Sequence, residues 1–202
     1  MKRNRVLLIH GIFRKLGVFN KMSAHLTGRG WQVHRFNLQP NNATLGLDEL
    51  ALQVADYVDS NFPPDEQIDL VGLSMGGLVT RYYMQRLGGI DRVERYITIS
   101  APHHGTWMAY LLPCRGCVQM RPSSAFLEDL NGDVEVLQRV NFTSIWTPYD
   151  FIIVPGQSSQ MPVGKNVKLP VFAHAMMVRD ARALEAVVEA LEASLQLPVP
   201  RL

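Results

Sequence analysis

Short β-branched runs and helix-period segments take turns along the whole chain, and this alternation leaves few folds open. Runs at residues 5–9, 32–36, 68–71, 95–100, 142–146 and 167–172 are rich in the Val, Ile, Phe, Tyr and Trp that suit a pleated, half-buried surface. Helical patterns lie between and after them, at 17–29, 46–61, 75–87, 123–139 and 179–195. In the second, Leu47, Leu50, Ala51, Val54, Tyr57 and Val58 follow a 3.6-residue period; in the last, Leu184, Val187, Val188, Leu191 and Leu195 do the same. Pro63-Pro64 closes the helix before the third strand, and Gly88-Gly89 stops the one after it. Strands alternating with helices imply an α/β architecture: a mainly parallel, six-stranded sheet covered by helices on both faces. No repeat, low-complexity tract or linker interrupts the pattern, so one domain is expected over residues 1–202.

Composition narrows the classes further. A chain of 202 residues with 47% hydrophobic content can bury a full core, which excludes a disordered protein. No apolar run approaches the roughly 20 residues that span a bilayer, and the four-residue run at 6–9 is too short for a signal-peptide core. A soluble, unexported, cytoplasmic protein is the expectation. The only cysteines, Cys114 and Cys117 in CRGC, cannot staple a secreted domain; they read as two thiols in a loop, without the further ligands of a metal site. Net charge is +2, and no basic helix or aromatic interleaving points to nucleic acid. The charge is uneven, however: Lys2, Arg3, Arg5, Arg14, Lys15, Lys21, Arg29 and Arg35 precede any acidic residue. Solvated side chains explain this, and so would transient contact with an anionic membrane surface.

The stretch GLSMGG, residues 72–77, stands where the third strand hands over to a helix. A nucleophile on so tight a turn adopts strained backbone angles, and side chains two positions to either side would collide with strand and helix. Gly72 and Gly76 flank Ser74 for that reason. A plain helix N-terminus carrying a serine is the alternative. A serine hydroxyl needs a base, and the base needs an orienting carboxylate. In this type of turn the chain order is Ser, acid, His. His174, in VFAHAMM, is the only histidine beyond the last expected strand. Asp150 stands at the end of the fifth, while Asp129 and Asp133 belong to a helical EDLNGD stretch where solvated carboxylates are expected. Donors for an oxyanion would be the backbone N–H of Met75, after the nucleophile, and of Ile12 in HGIF.

With HGIF, GLSMGG, Asp150 and His174 in this order, the sequence resembles the α/β-hydrolase superfamily, and within it the small bacterial lipases and esterases of the triacylglycerol lipase type. ISAPHHGTWMA and MRPSSAFLEDLN are similar to further segments of such lipases. The resemblance implies a minimal α/β-hydrolase fold and ester hydrolysis through an acyl-serine, without cofactor or metal: Ser74 as nucleophile, His174 as base, Asp150 as its orienting acid. The substrate would be a lipid or small ester. A thioesterase, an acyltransferase or a phospholipid or glycolipid acyl hydrolase would use the same groups, and a non-catalytic hydrolase-like binding protein usually lacks one of them. Trp107, Met108 and Leu111, with Tyr110 and Leu112, are apolar residues in the loop after SAPHHG and could line an acyl site or form a small flap. His103 and His104 read as loop-shaping residues. One departure is Ala173, where many relatives have Gly.

Overall fold

Residues 3–194 are described by a computed structural model. Six strands, β1 (Arg5–Ile9), β2 (Val33–Phe36), β3 (Ile68–Leu73), β4 (Val93–Ile99), β5 (Asn141–Trp146) and β6 (Lys165–Lys168), form one sheet. All neighbours are parallel, in the order β2-β1-β3-β4-β5-β6. Successive strand residues face opposite sides, so the sheet feeds two cores. Leu7, Ile9, Leu70 and Tyr96 pack with Leu47, Leu50, Val54, Leu78 and Leu127. Those partners come from α2 (Leu47–Asn61), α3 (Met75–Arg86) and α5 (Ala125–Gly132). On the other side Val6, Leu8, Val71 and Ile97 meet Met22 and Leu26 of α1 (Asn20–Gly28) and Leu184 and Val187 of α6 (Ala181–Glu192). Each fully buried Leu or Ile here contributes roughly 1.5–3 kcal/mol relative to exposure.

The order of the strands fixes where a site can lie. From β1 the chain crosses to β2 on one side and then to β3 on the other, so the connections leave β1 and β3 in opposite directions. A crevice opens outside their carboxyl ends, the usual ligand position in an open parallel sheet.

Three expectations are corrected. The last strand ends at Lys168, not at 172, because Pro170 has no N–H for the ladder; only Leu169 N adds a bond, to Trp146 O at 2.9 Å. His174 therefore opens a separate 3-10 turn (His174–Val178) instead of following the strand directly. The helix expected at 123–139 breaks at Asp133 (φ −130°) into α5 and a 3-10 segment, Val134–Arg139. The CRGC stretch is not a plain loop: Cys114 precedes the short helix α4 (Arg115–Gln119), and Cys117 is buried. Leu195 and Lys2 lie outside the described residues.

Among the described residues, no helix is long and apolar enough to cross a membrane. The early cations do not form one free basic face. Arg3 pairs with Glu192, Arg5 with Glu66 and Arg29 with Glu185, acids that come from later in the chain.

Candidate active site

Ser74 joins β3 to α3 with φ 55° and ψ −125°, a conformation that L-residues avoid at a cost of about 1–3 kcal/mol. The fold enforces it from both sides: Ser74 N donates to Ile99 O at 2.8 Å, and Gly77 N donates to Ser74 O at 2.9 Å. The flanking glycines are required by packing. A Cβ on Gly72 would stand 2.6 Å from Gly77 Cα, and one on Gly76 would stand 2.5 Å from the carbonyl oxygens of Ile9 and His10. Gly11 faces Ser74 just as closely, since a Cβ there would lie 2.8 Å from Ser74 Cβ. The turn after β1 thus lies directly against the serine.

Asp150 is buried in the loop after β5. Its Oδ1 accepts the N–H groups of Ile152 and Ile153, each at 2.9 Å, and its Oδ2 lies 2.7 Å from His174 Nδ1. Burial alone would raise this carboxyl, but the His174 hydrogen bond and charge, with the two N–H donors, outweigh it and hold it below the usual carboxylate range. An ionised acceptor at Oδ2 sets the imidazole tautomer with the proton on Nδ1, leaving Nε2 free to accept one. The rival carboxylates Asp129 and Asp133 are instead paired with Arg86, at 3.0 and 2.7 Å.

Ser74 and His174 line one cavity of about 300 Å³, together with Gly11, Ile12, Phe13, Val18, Ile152 and Val178. The hydrogen-bond network joins His174 to Asp150 but not to Ser74, so the imidazole and the hydroxyl share a space without a direct bond. In enzymes that pair a base with a nucleophile, that hydrogen bond is often long in the absence of substrate. Met75 opens α3, so its N–H has no intrahelical acceptor. In the turn after β1, Phe13 N donates to Asn41 O at 2.7 Å and Arg14 N to Gly11 O at 3.3 Å, which leaves the Ile12 N–H outside the turn's own bonding.

His10 is a residue that the sequence reading passed over. It is fully buried, its Nδ1 donates to Gly11 O at 2.8 Å, and its Nε2 accepts from Leu38 N at 3.1 Å. Burial outweighs the hydrogen bond to Gly11 O, lowers its pKa and favours the neutral ring. Gly11 C=O and Ile12 N–H belong to one trans peptide and point in opposite directions. Holding the carbonyl therefore aims the amide. The neighbouring HG dipeptide was the available signal.

Trp107, Met108 and Leu111 do not line this cavity. They sit exposed on a 3-10 turn, Trp107–Leu111, where the Trp107 and Tyr110 rings stack at 5.6 Å. Backbone bonds hold that turn elsewhere, Trp107 N donating to Val154 O at 3.0 Å. Phe13, Phe151, Ile152, Phe172 and Met176 supply exposed apolar surface instead, near the residues that form the site. His103 is buried with its Nε2 2.9 Å from Thr98 Oγ1, and His104 N donates to Ser158 O at 3.0 Å, so both shape the loop after β4.

Comparison with known proteins agrees with this architecture. The mature form of a Bacillus licheniformis lipase has a similar structure, with a TM-score of 0.76 at 12% identity over 94% of this chain and 92% of that one. Lipase B of Aspergillus fumigatus gives 0.80 at 21% identity, covering 96% of this chain and 53% of that one. A bromoperoxidase from Bacillus anthracis gives 0.73 at 15% identity, over 95% and 93%. At such identities the likeness establishes the fold, that of the α/β-hydrolases. No curated protein sequence matches the chain. The family model described as palmitoyl protein thioesterase matches residues 5–124, which is more than half of the sequence and contains both the HGIF turn and the GLSMGG turn. The chain belongs to the palmitoyl protein thioesterase family, within the α/β-hydrolase superfamily.

Proposed function

We propose that the protein is a serine hydrolase of the carboxylic ester hydrolase type that cleaves acyl esters of lipids through an acyl-serine intermediate. Ser74 Oγ attacks the ester carbonyl and gives its proton to His174 Nε2, while Asp150 holds Nδ1–H and stabilises the imidazolium. The N–H groups of Ile12 and Met75 take the negative charge that develops on the carbonyl oxygen. His174 then protonates the leaving alkoxide, and the same imidazole activates the water that releases the acid. The observation that carries this reading is the 2.7 Å bond from His174 Nδ1 to Asp150 Oδ2 on a ring that lines one cavity with Ser74. The apolar Phe13, Val18, Ile152 and Val178 around that cavity favour an acyl chain as its occupant.

A second reading, an acyl thioester as substrate, is favoured by the family description. It needs the same groups, with a thiolate leaving in place of an alkoxide. The test is hydrolysis of p-nitrophenyl esters of graded chain length, and of acyl thioesters of matching chains, by the wild type and by Ser74→Ala. The wild type is expected to turn over the medium and long chains, and Ser74→Ala to lose about 10³-fold or more of kcat. Equal rates from the two proteins would overturn the nucleophile assignment. A kcat/KM higher for thioesters than for oxygen esters would favour the second reading, and activity confined to acetyl and butyryl esters would exclude lipid esters.

A further inference from the structure

Thr106 stands where the loop after β4 crosses the loop that carries Asp150. Its side chain is buried, and its hydroxyl uses all three of its hydrogen-bonding places. Oγ1 donates to Ile152 O at 2.8 Å and accepts from Val154 N at 2.9 Å and from Met108 N at 3.3 Å. The clamped segment is the one whose Ile152 and Ile153 N–H groups hold Asp150 Oδ1. Irregular backbone has no ladder to fix it, so a buried carboxylate on such a loop is only as well placed as the bonds that tie the loop down. Parallel ties run beside the hydroxyl: Trp107 N to Val154 O and His104 N to Ser158 O, both at 3.0 Å, and Ser158 Oγ to Gly105 O. Among the described residues, Thr106 is the one side chain that grips the Asp150 segment at both Ile152 and Val154.

Resting on the assignment of Ser74, His174 and Asp150 given above, we propose that Thr106 is a positioning residue of the same site: its hydroxyl fixes the backbone at Ile152 and Val154, and through it the Asp150 carboxylate that orients His174. Without the hydroxyl, Ile152 C=O and Val154 N–H would lose the one partner that joins them both to the loop after β4. The segment would turn toward other partners, and Asp150 would move with it. A displacement of about 1 Å at a catalytic group is enough to cost about 100-fold in rate. A weaker carboxylate partner also stabilises the imidazolium less, which moves the acid limb of activity to lower pH.

The test compares wild type, Thr106→Val and Thr106→Ser, each titrated with a fluorophosphonate so that kcat is counted per reactive site. The expected result for Thr106→Val is a kcat lower by about 10- to 100-fold, KM little changed, and the acid limb of the kcat/KM profile for p-nitrophenyl butyrate displaced to lower pH. Thr106→Ser, which keeps the hydroxyl, is expected to recover most of the rate and the wild-type limb. A hydroxyl that only stabilised the fold would lower the titrated fraction and leave kcat per site and the limb unmoved. That outcome overturns the proposal, as does Thr106→Ser behaving like Thr106→Val. Should Thr106→Val give no folded protein, Thr106→Cys takes its place under the same readouts. A wild type that neither reacts with the phosphonate nor hydrolyses the ester refutes the serine-hydrolase reading itself, a result distinct from any difference between variants.

Discussion

Ala173, directly before His174, has φ 71° and ψ 141°, close to a region of backbone space that is nearly reserved for glycine. Replacing it by Gly should stabilise the protein, against the usual sense of an Ala→Gly change. The strain released is about 1–3 kcal/mol for an L-residue held there. Against it stand about 0.4–1 kcal/mol for the added freedom of the unfolded chain and, for a half-exposed methyl, less than about 0.8 kcal/mol of lost burial. The balance is a gain of about 1 kcal/mol, which for a chain of this length raises Tm by about 2–4 °C. Urea and thermal unfolding of wild type and Ala173→Gly measure it. The hydrogen bond of the turn, Met176 N to Ala173 O at 3.0 Å, uses backbone only and should survive. A Tm lowered by the substitution would refute the strain argument and mean that the methyl group packs better than its backbone angles suggest.

Other expectations follow from the same geometry. His10→Leu should lower kcat by roughly 10- to 100-fold with little change in KM, because the Gly11–Ile12 peptide loses its tether and the proposed oxyanion donor, Ile12 N–H, drifts; His10→Asn, whose amide N–H can stand in for Nδ1, should retain more, and equal kcat in wild type and His10→Leu would remove His10 from the account. Asp69 is buried in β3 with its carboxyl pushed up to about 6 by burial, which outweighs Arg95 and Asn4. Its folded pKa lies above the unfolded 3.8, so its favourable contribution is complete below pH 4 and is lost as pH rises through 6. Asp69→Asn should therefore gain stability relative to wild type between pH 4 and pH 8, by about 3 kcal/mol, and pH-independent differences in urea midpoints would contradict this. We also propose that the exposed Phe13, Phe151 and Phe172, with Arg14 and Lys15 beside Phe13, let the protein touch an anionic lipid surface; co-sedimentation should favour phosphatidylglycerol vesicles over phosphatidylcholine, and equal pelleting would end that idea.

Much of the fold was legible because it rests on periodicity. β1 matches its expected bounds, and α2 and α3 end within a residue of theirs, since apolar spacing and Gly or Pro punctuation specify them. β6 was misread because Leu169 and Val171 are apolar in a segment that Pro170 prevents from pairing. Within the site, the tight-turn glycines could be read from GLSMGG because their need is local. The lining of the cavity could not. Trp107 and Leu111 looked suitable from their composition, yet Thr106 and Trp107 tie that segment to the Asp150 loop, and Phe13 and Ile152 line the cavity with Ser74 instead. His10 and Thr106 are each bonded to distant backbone, His10 to Leu38 and Thr106 to Ile152 and Val154, and such pairings carry no periodic signal.

The central claim, that Ser74 is made nucleophilic by His174 held on Asp150, is tested most directly by reaction with a fluorophosphonate followed by intact-mass and peptide analysis. The expected result is one phosphonyl group per folded wild-type chain, located on Ser74, with labelling slowed by orders of magnitude in His174→Ala and in Asp150→Asn. A label on any other residue, or a labelling rate in His174→Ala equal to that of the wild type, would contradict it.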